Sequence, residues 1–248
     1  MIRITQQDNA RSAKSYYAKS DYYSEGQEIV GAWGGKGAAR LGLTGMVDQF
    51  SFERLCDNLH PQTGKPLTVR TRSERTVGYD FTFSVPKSVS LLYAMSGDQD
   101  ILEAFRGAVD ETMREMEAEM MTRVRRGHQD TNRTTGNMAW AEFIHTTSRP
   151  VDGLPDPQLH AHVFVFNTTW DQKENRWKAG QFRELKRDAP YFQAAFRVRL
   201  ANNLQDIGFG ISRKRDDFEI AGIPADVLKR FSRRTAVIER MAEEKGIT

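Results

Sequence analysis

The segment Leu159-His-Ala-His-Val-Phe-Val-Phe166 constrains this chain more than any other. Its β-branched and aromatic residues predict a buried strand. Side chains two apart on a strand share a face, so His160 and His162 project together. Upstream, Ala139-Trp-Ala-Glu-Phe-Ile-His-Thr-Thr147 reads as a second strand. The Pro-, Gly- and Asp-rich stretch 150–157 between them predicts a loop joining antiparallel neighbours. That pairing gathers three of the chain's five histidines, His145, His160 and His162. Three neutral imidazoles bind a divalent metal and leave positions open for a substrate oxygen. A lone buried histidine is more often a satisfied core residue, but a third histidine on the partner strand favours the metal reading.

The rest of the chain mixes strands and helices without regular βαβ alternation, which predicts an α+β fold with a central antiparallel sheet flanked by helices. Tyr79-Asp-Phe-Thr-Phe-Ser84 alternates like a strand, and Val-Pro-Lys-Ser after it reads as a helix start with Pro in the first turn. Met46–Leu55 predicts a short helix. The spacing of Ile101, Leu102, Phe105, Val109, Met113, Met116 and Met120 predicts one long helix from about Asp98 to Arg126, capped by Gly127. Trp170–Trp177 reads as a hairpin turn. A helix is expected over 189–207, then a strand pair over 211–220. Two helices, near 224–230 and 233–245, close the chain.

The 248 residues suffice for one large domain or two small ones. A formal charge of +3 conceals local basic runs: Arg123-Val-Arg125-Arg126, Arg213-Lys214-Arg215 and Arg233-Arg234. Several such runs favour a polyanionic partner. The single cysteine, Cys56, excludes an intramolecular disulfide. With no signal peptide and no membrane-length apolar run, a cytoplasmic protein is expected. Gly34-Gly35-Lys-Gly37 lacks the phosphate-loop pattern, although its glycines can let backbone approach DNA, with Trp33 as a base-stacking candidate.

Four of the seven tyrosines, Tyr16, Tyr17, Tyr22 and Tyr23, lie within eight residues in a polar context, where a functional role for at least one is more plausible than a core role for all. A phosphodiester hydrolase using bound water and a non-catalytic, initiator-like DNA-binding domain remain the rival readings.

These motifs together resemble a known family. The order is tyrosine pairs, Trp-Gly-Gly-Lys-Gly and Leu-Gly-Leu-Thr-Gly, Gly78-Tyr-Asp-Phe-Thr-Phe-Ser-Val-Pro-Lys-Ser-Val-Ser90, then His145-Thr-Thr-Ser-Arg149 and Pro157-Gln-Leu-His-Ala-His-Val. This is similar to the relaxase domain of MobF-class (TrwC/TraI-like) conjugative relaxases in the HUH endonuclease superfamily. The resemblance spans nearly the whole chain. It implies a sheet palm carrying the HUH motif, with C-terminal helices contacting DNA. The implied activity is site- and strand-specific nicking of single-stranded plasmid DNA at a transfer origin, through a covalent 5′-phosphotyrosyl intermediate, and later rejoining. Carried over by motif, Tyr16 is the first nucleophile and Tyr22 serves the second transfer, with Tyr17 and Tyr23 as further candidates. His145, His160 and His162 match the metal triad and Asp80 the acidic residue beside it. The implied cofactor is a divalent ion, Mg or Mn in use, with Zn or Ni fitting the same ligands. Lys87 and Arg149 are candidate phosphate contacts. The implied partners include a DNA hairpin, relaxosome accessory proteins and a secretion coupling protein, with passage to the recipient cell. Family members usually continue into a helicase, so the chain resembles an excised N-terminal domain. The insert Pro150–Asp156 is longer than the family pattern and puts that loop's DNA contacts in question.

Overall fold

The computed structural model describes residues 2–19, 28–69, 75–127, 129–244 and 246, with backbone alone at 15–19, 28–30 and Arg126. The first half of the chain contributes β1 (Ile2–Gln7), α1 (Ala10–Lys19), β2 (Glu28–Gly34), α2 (Lys36–Arg40), α3 (Gln49–Cys56), β3 (Gly78–Ser84), α4 (Lys87–Ser96) and α5 (Gln99–Ala118). After these come β4 (Met121–Arg126), β5 (Gln129–Thr134), β6 (Trp140–Thr147), β7 (Pro157–Phe166), β8 (Thr169–Asp171), β9 (Arg176–Lys178) and β10 (Gly180–Gln181). The last part holds α6 (Arg183–Arg187), α7 (Ala189–Asp206), β11 (Ile211–Arg213), β12 (Phe218–Ile220), α8 (Ala225–Arg230) and α9 (Arg233–Glu244).

Five strands form the central sheet in the order β1-β3-β7-β6-β2, and every adjacent pair is antiparallel. Strand alternation divides its side chains between two faces. On one face Ile2, Phe81, Phe83, Leu159, Ala161, Val163, Val165 and Ile144 join a large core. The apolar stripes of α5 and α7 cover it, with α4 against β7. On the other face Ala141, Phe143, Phe164 and Phe166 pack under Phe52 and Leu55 of α3 and beside Trp33. That second core covers only part of the face. Where it ends, the same strands carry His145, His160, His162, Asp80, Thr82 and Arg3.

Capping chemistry sets the helix starts. Asp48 accepts from Ser51 N at 2.7 Å before α3, and Asp98 accepts from Asp100 N at 2.9 Å before α5. Asn9 accepts from Ser12 N at 3.1 Å at the start of α1. Pro86 stands just before α4, where its missing N–H leaves no bond unmade.

One expected helix is shorter than its periodicity suggests. The spacing predicted helix to Arg126, but α5 stops at Ala118 and Met121–Arg126 forms β4, paired with β5. Thr122 and Val124 are buried while Arg123 and Arg125 are exposed, which is period two. Met120, buried just past the helix, extends the three-to-four spacing and hides the change. Gly127, at φ 49°, occupies the tight turn between β4 and β5 instead of a helix end.

The glycines 34, 35 and 37 serve packing. A Cβ on Gly34 would lie 2.2 Å from the Trp140 ring, and one on Gly35 or Gly37 would lie 2.3 or 2.6 Å from the Met138 carbonyl oxygen. Gly37 N donates to that oxygen at 2.7 Å. Trp33, the candidate stacking residue, is only 9% exposed and packs 6.1 Å from Phe166. Its alternation on β2 turns it into the second core.

Candidate metal and DNA-cleavage site

Register builds the site. His145 on β6 is the direct cross-strand partner of His160 on β7, and Ser84 on β3 faces His160 from the other side. One pleat along, His162 pairs with Thr82, and Asp80 lies two residues further down β3. The three imidazole centroids are 5.1, 5.1 and 5.5 Å apart. Three imidazoles that each place a nitrogen about 2.1 Å from one tetrahedral ion have centroids about 5 Å apart. The spacing therefore fits a shared divalent cation. Among the described residues no group of His, Cys, Asp or Glu is already closed around such an ion.

Hydrogen bonds behind the rings assign their tautomers. His162 Nδ1 lies 2.8 Å from Asp80 Oδ2, and His160 Nδ1 lies 2.8 Å from the Gln158 carbonyl oxygen. A carboxylate and a carbonyl can only accept, so each Nδ1 carries the proton and each Nε2 keeps a lone pair for a metal. Asp80 is 5% exposed, and its Oδ1 has no hydrogen-bond partner among the described residues. An uncompensated buried carboxylate oxygen is costly, and a cation nearby would offset that cost.

Burial keeps the His145 and His160 rings neutral. Desolvation, with repulsion from the other two histidines, lowers the His145 pKa to about 3. Desolvation likewise lowers His160 to about 4, against the opposing bond to Gln158. Both are therefore uncharged ligands at neutral pH.

His160, His162, Asp80 and Thr82 line a cleft of about 730 Å³ that opens on the uncovered half of the sheet. Lys87, Arg149 and Arg234 also line it, on α4, the β6–β7 loop and α9. Lys87 Nζ donates to the Pro157 carbonyl oxygen at 2.9 Å, and burial lowers its pKa. Arg233 is differently engaged. Its Nε donates to Asp156 Oδ1 and its backbone N to Asp156 Oδ2, both at 2.8 Å. That clasp fastens the start of α9 to the long β6–β7 loop, so the guanidinium has a structural role.

Other basic candidates lie away from the cleft wall. Arg123 and Arg125 face Asp130 across the β4–β5 hairpin at 3.8 Å each, and Arg126 is described in backbone alone. Lys214 pairs with Glu219 at 3.1 Å, Arg215 lies 3.9 Å from Asp216, and Arg213 is exposed on β11. Tyr16 and Tyr17 lie on the backbone of α1, which leaves β1 at the Gln7 end of the cleft. Tyr22 and Tyr23 fall outside the described residues. Sequence reasoning passed over β1 itself. The alternation Ile2-Arg3-Ile4-Thr5 was a strand signal, and Arg3, Thr5 and Gln7 face the cleft.

The sequence matches the TrwC relaxase family over residues 10–248. It is similar to the multifunctional conjugation protein TraI of Escherichia coli strain K12, at 33% identity over 256 residues covering 98% of the chain and 14% of that protein. A second Escherichia coli TraI is 32% identical over 259 residues, again with 14% of its length covered. The chain thus spans a small part of these relatives. Among solved structures it resembles conjugative relaxase TrwC in complex with oriT DNA, metal-bound, with TM-score 0.87 and 31% identity over 100% of the chain and 85% of that structure. TrwC complexed with a 27-mer DNA comprising the recognition hairpin and the cleavage site gives TM-score 0.85 and 31% identity, covering 100% of the chain and 84% of that structure.

Proposed function

The chain belongs to the TrwC relaxase family, conjugative DNA relaxases of the MobF class, and we propose that it nicks and rejoins single-stranded DNA at a transfer origin through Tyr16. The observation that carries this reading is the histidine cluster on β6 and β7 with Asp80 behind it. A divalent cation held by His145, His160 and His162 would supply polarisation of a non-bridging phosphate oxygen and offset charge in the transition state. Mg²⁺ and Mn²⁺ are the proposed working ions.

The chain's own groups do the rest. The Tyr16 phenol, with an ordinary pKa near ~10, must lose its proton to attack. Its oxygen forms a bond to phosphorus, and the bond from phosphorus to the 3′ oxygen breaks. The 3′ oxygen takes up a proton, leaving a 3′-hydroxyl and a 5′-phosphotyrosine. Reversal by a 3′-hydroxyl rejoins the strand, because the ester is conserved. Tyr22 is proposed to serve the second transfer, with Tyr17 and Tyr23 beside the two nucleophiles. Asp80 holds the His162 tautomer. Lys87, Arg149 and Arg234 are proposed to set the phosphate chain in the cleft. Arg123, Arg125, Arg126, Arg213, Lys214 and Arg215 are proposed to meet the DNA beyond it, including a hairpin. Relaxosome accessory proteins, a coupling protein, a following helicase segment and transfer to the recipient belong to the same proposal.

The test uses oligonucleotides tiled across a transfer origin, with Mg²⁺ or Mn²⁺. A protein–DNA band that survives denaturation is expected. Tyr16→Phe should abolish it, peptide mapping should place the nucleotide on Tyr16, and exhaustive chelation should suppress it. Cleavage with no covalent band would point instead to a water-using phosphodiesterase. An adduct of full strength in Tyr16→Phe would remove that tyrosine from its role.

A further inference from the structure

β1 is one of the two edge strands of the central sheet and forms one wall of the cleft. Ile2 and Ile4 turn into the large core, so Arg3, Thr5 and Gln7 turn to the histidine face. Register places Arg3 opposite Thr82, and Thr82 opposite His162. Arg3 and His162 therefore stand in one row across the sheet, on one face, two strand spacings or about 10 Å apart at the backbone. An arginine is long enough to cover most of that gap but stops short of the triad's centre, which lies further off over β7 and β6.

The surrounding charges leave this guanidinium available. Asp80 Oδ2 is engaged by His162, and Asp156 by Arg233. Lys87 is bound to a backbone oxygen, and Arg149 and Arg234 ride on a loop and a terminal helix. The Arg3 guanidinium is exposed and has no hydrogen-bond or ion-pair partner among the described residues. It also stands on a strand paired with β3 along its whole length. A planar fork of donors on a rigid support matches the two oxygens of a phosphodiester.

We propose that Arg3 binds the phosphodiester adjoining the scissile one on the β1 side of the histidine cluster, and so sets the register of the strand across the site. This rests on the relaxase reading. The distance along the row makes the adjoining phosphate, and not the scissile one, the partner. Because the Arg3 guanidinium has no hydrogen-bond or ion-pair partner among the described residues, its replacement should leave stability unchanged.

The experiment compares the wild-type protein with Arg3→Gln and Arg3→Lys on a nic-bearing oligonucleotide. A second oligonucleotide set carries one neutral methylphosphonate at each position flanking the nick. Arg3→Gln should weaken equilibrium binding about tenfold, the scale of one charge-assisted contact. Its log–log salt slope should be shallower by about 0.7. At one flanking position the methylphosphonate should cost the wild type a similar factor and cost Arg3→Gln nothing more, with Arg3→Lys in between. Unchanged binding by Arg3→Gln, or methylphosphonate penalties equal in both proteins at every position, would overturn the proposal. Failure of the wild type to form an adduct counts against the relaxase reading, and the binding arms still decide the role of Arg3.

Discussion

Two halves of one sheet face have opposite characters although the same strands build both. Phe164 and His162 are two residues apart on β7 and point the same way. Phe164 is fully buried, 5.6 Å from Phe52 and 5.0 Å from Phe166. His162 lines an open cleft with its proton held by Asp80. The strand pattern decides only that both side chains leave the sheet on one side. What differs is the layer above. Helix α3, with Trp33, Ala38 and the apolar residues Leu41, Leu43 and Val47, closes one half. Over the other half, α9 contributes Arg234 and Ile238 to the rim, fastened there by the Asp156–Arg233 clasp. A site arises where a well-paired sheet face is left without an apolar cover.

This contrast can be broken most strongly on the covered side. Phe164→Ala should cost about 3–5 kcal/mol in urea unfolding, the range for truncating a buried aromatic. Affinity for Mn²⁺ should be nearly unchanged, because the histidines sit on strands that remain paired. A cost under about 1 kcal/mol would mean that the covered half does not stabilise the domain.

On the open side the expected pattern inverts. Asp80→Asn keeps shape but removes the charge behind His162 and lets the amide present its N–H to that ring. Metal affinity, read by calorimetry, should fall about 10–100-fold, while the unfolding midpoint barely moves. A large loss of stability with unchanged metal affinity would make Asp80 part of the core and erase the distinction.

The smallest effect concerns the opposite sheet face. There Glu142 is paired with no described side chain, and desolvation raises its pKa to about 7, against attraction from Arg106. A carboxyl whose folded pKa is raised binds more protons folded than unfolded. Its contribution is therefore complete below about 4.5 and is lost as pH climbs through about 7. Glu142→Gln should flatten the stability profile over that window and stabilise the protein at pH 8 by on the order of 1–2 kcal/mol. An unchanged slope between pH 5 and pH 8 would show that Glu142 is ionised and solvated in the fold.

Much of the site was legible because its residues lie on strongly patterned strands. The apolar run 159–166 and the run 139–147 demand pairing, and a period of two puts His160 and His162 on one face without reference to any partner. Asp80 was legible for the same reason, alternating with Phe81 and Phe83. Legibility failed where the pattern was weak or double. Gln129–Thr134 has no apolar residue to mark β5, so β4 was absorbed into the preceding helix. Trp33 and Arg233 carry side chains suited to DNA, and only their neighbours, Phe166 and Asp156, show what each one does.

The sequence by itself determined the α+β class, the strand pair that carries the histidines and the face on which they lie, since these follow from local periodicity and a short loop. Only the tertiary structure decided which half of that face is covered, which arginines are already engaged by acids, and that an N-terminal edge strand brings Arg3 into the row of His162. The deciding contacts join residues far apart in sequence, Phe52 with Phe164 and Arg233 with Asp156 among them, and no local pattern records which distant segment will arrive as the partner.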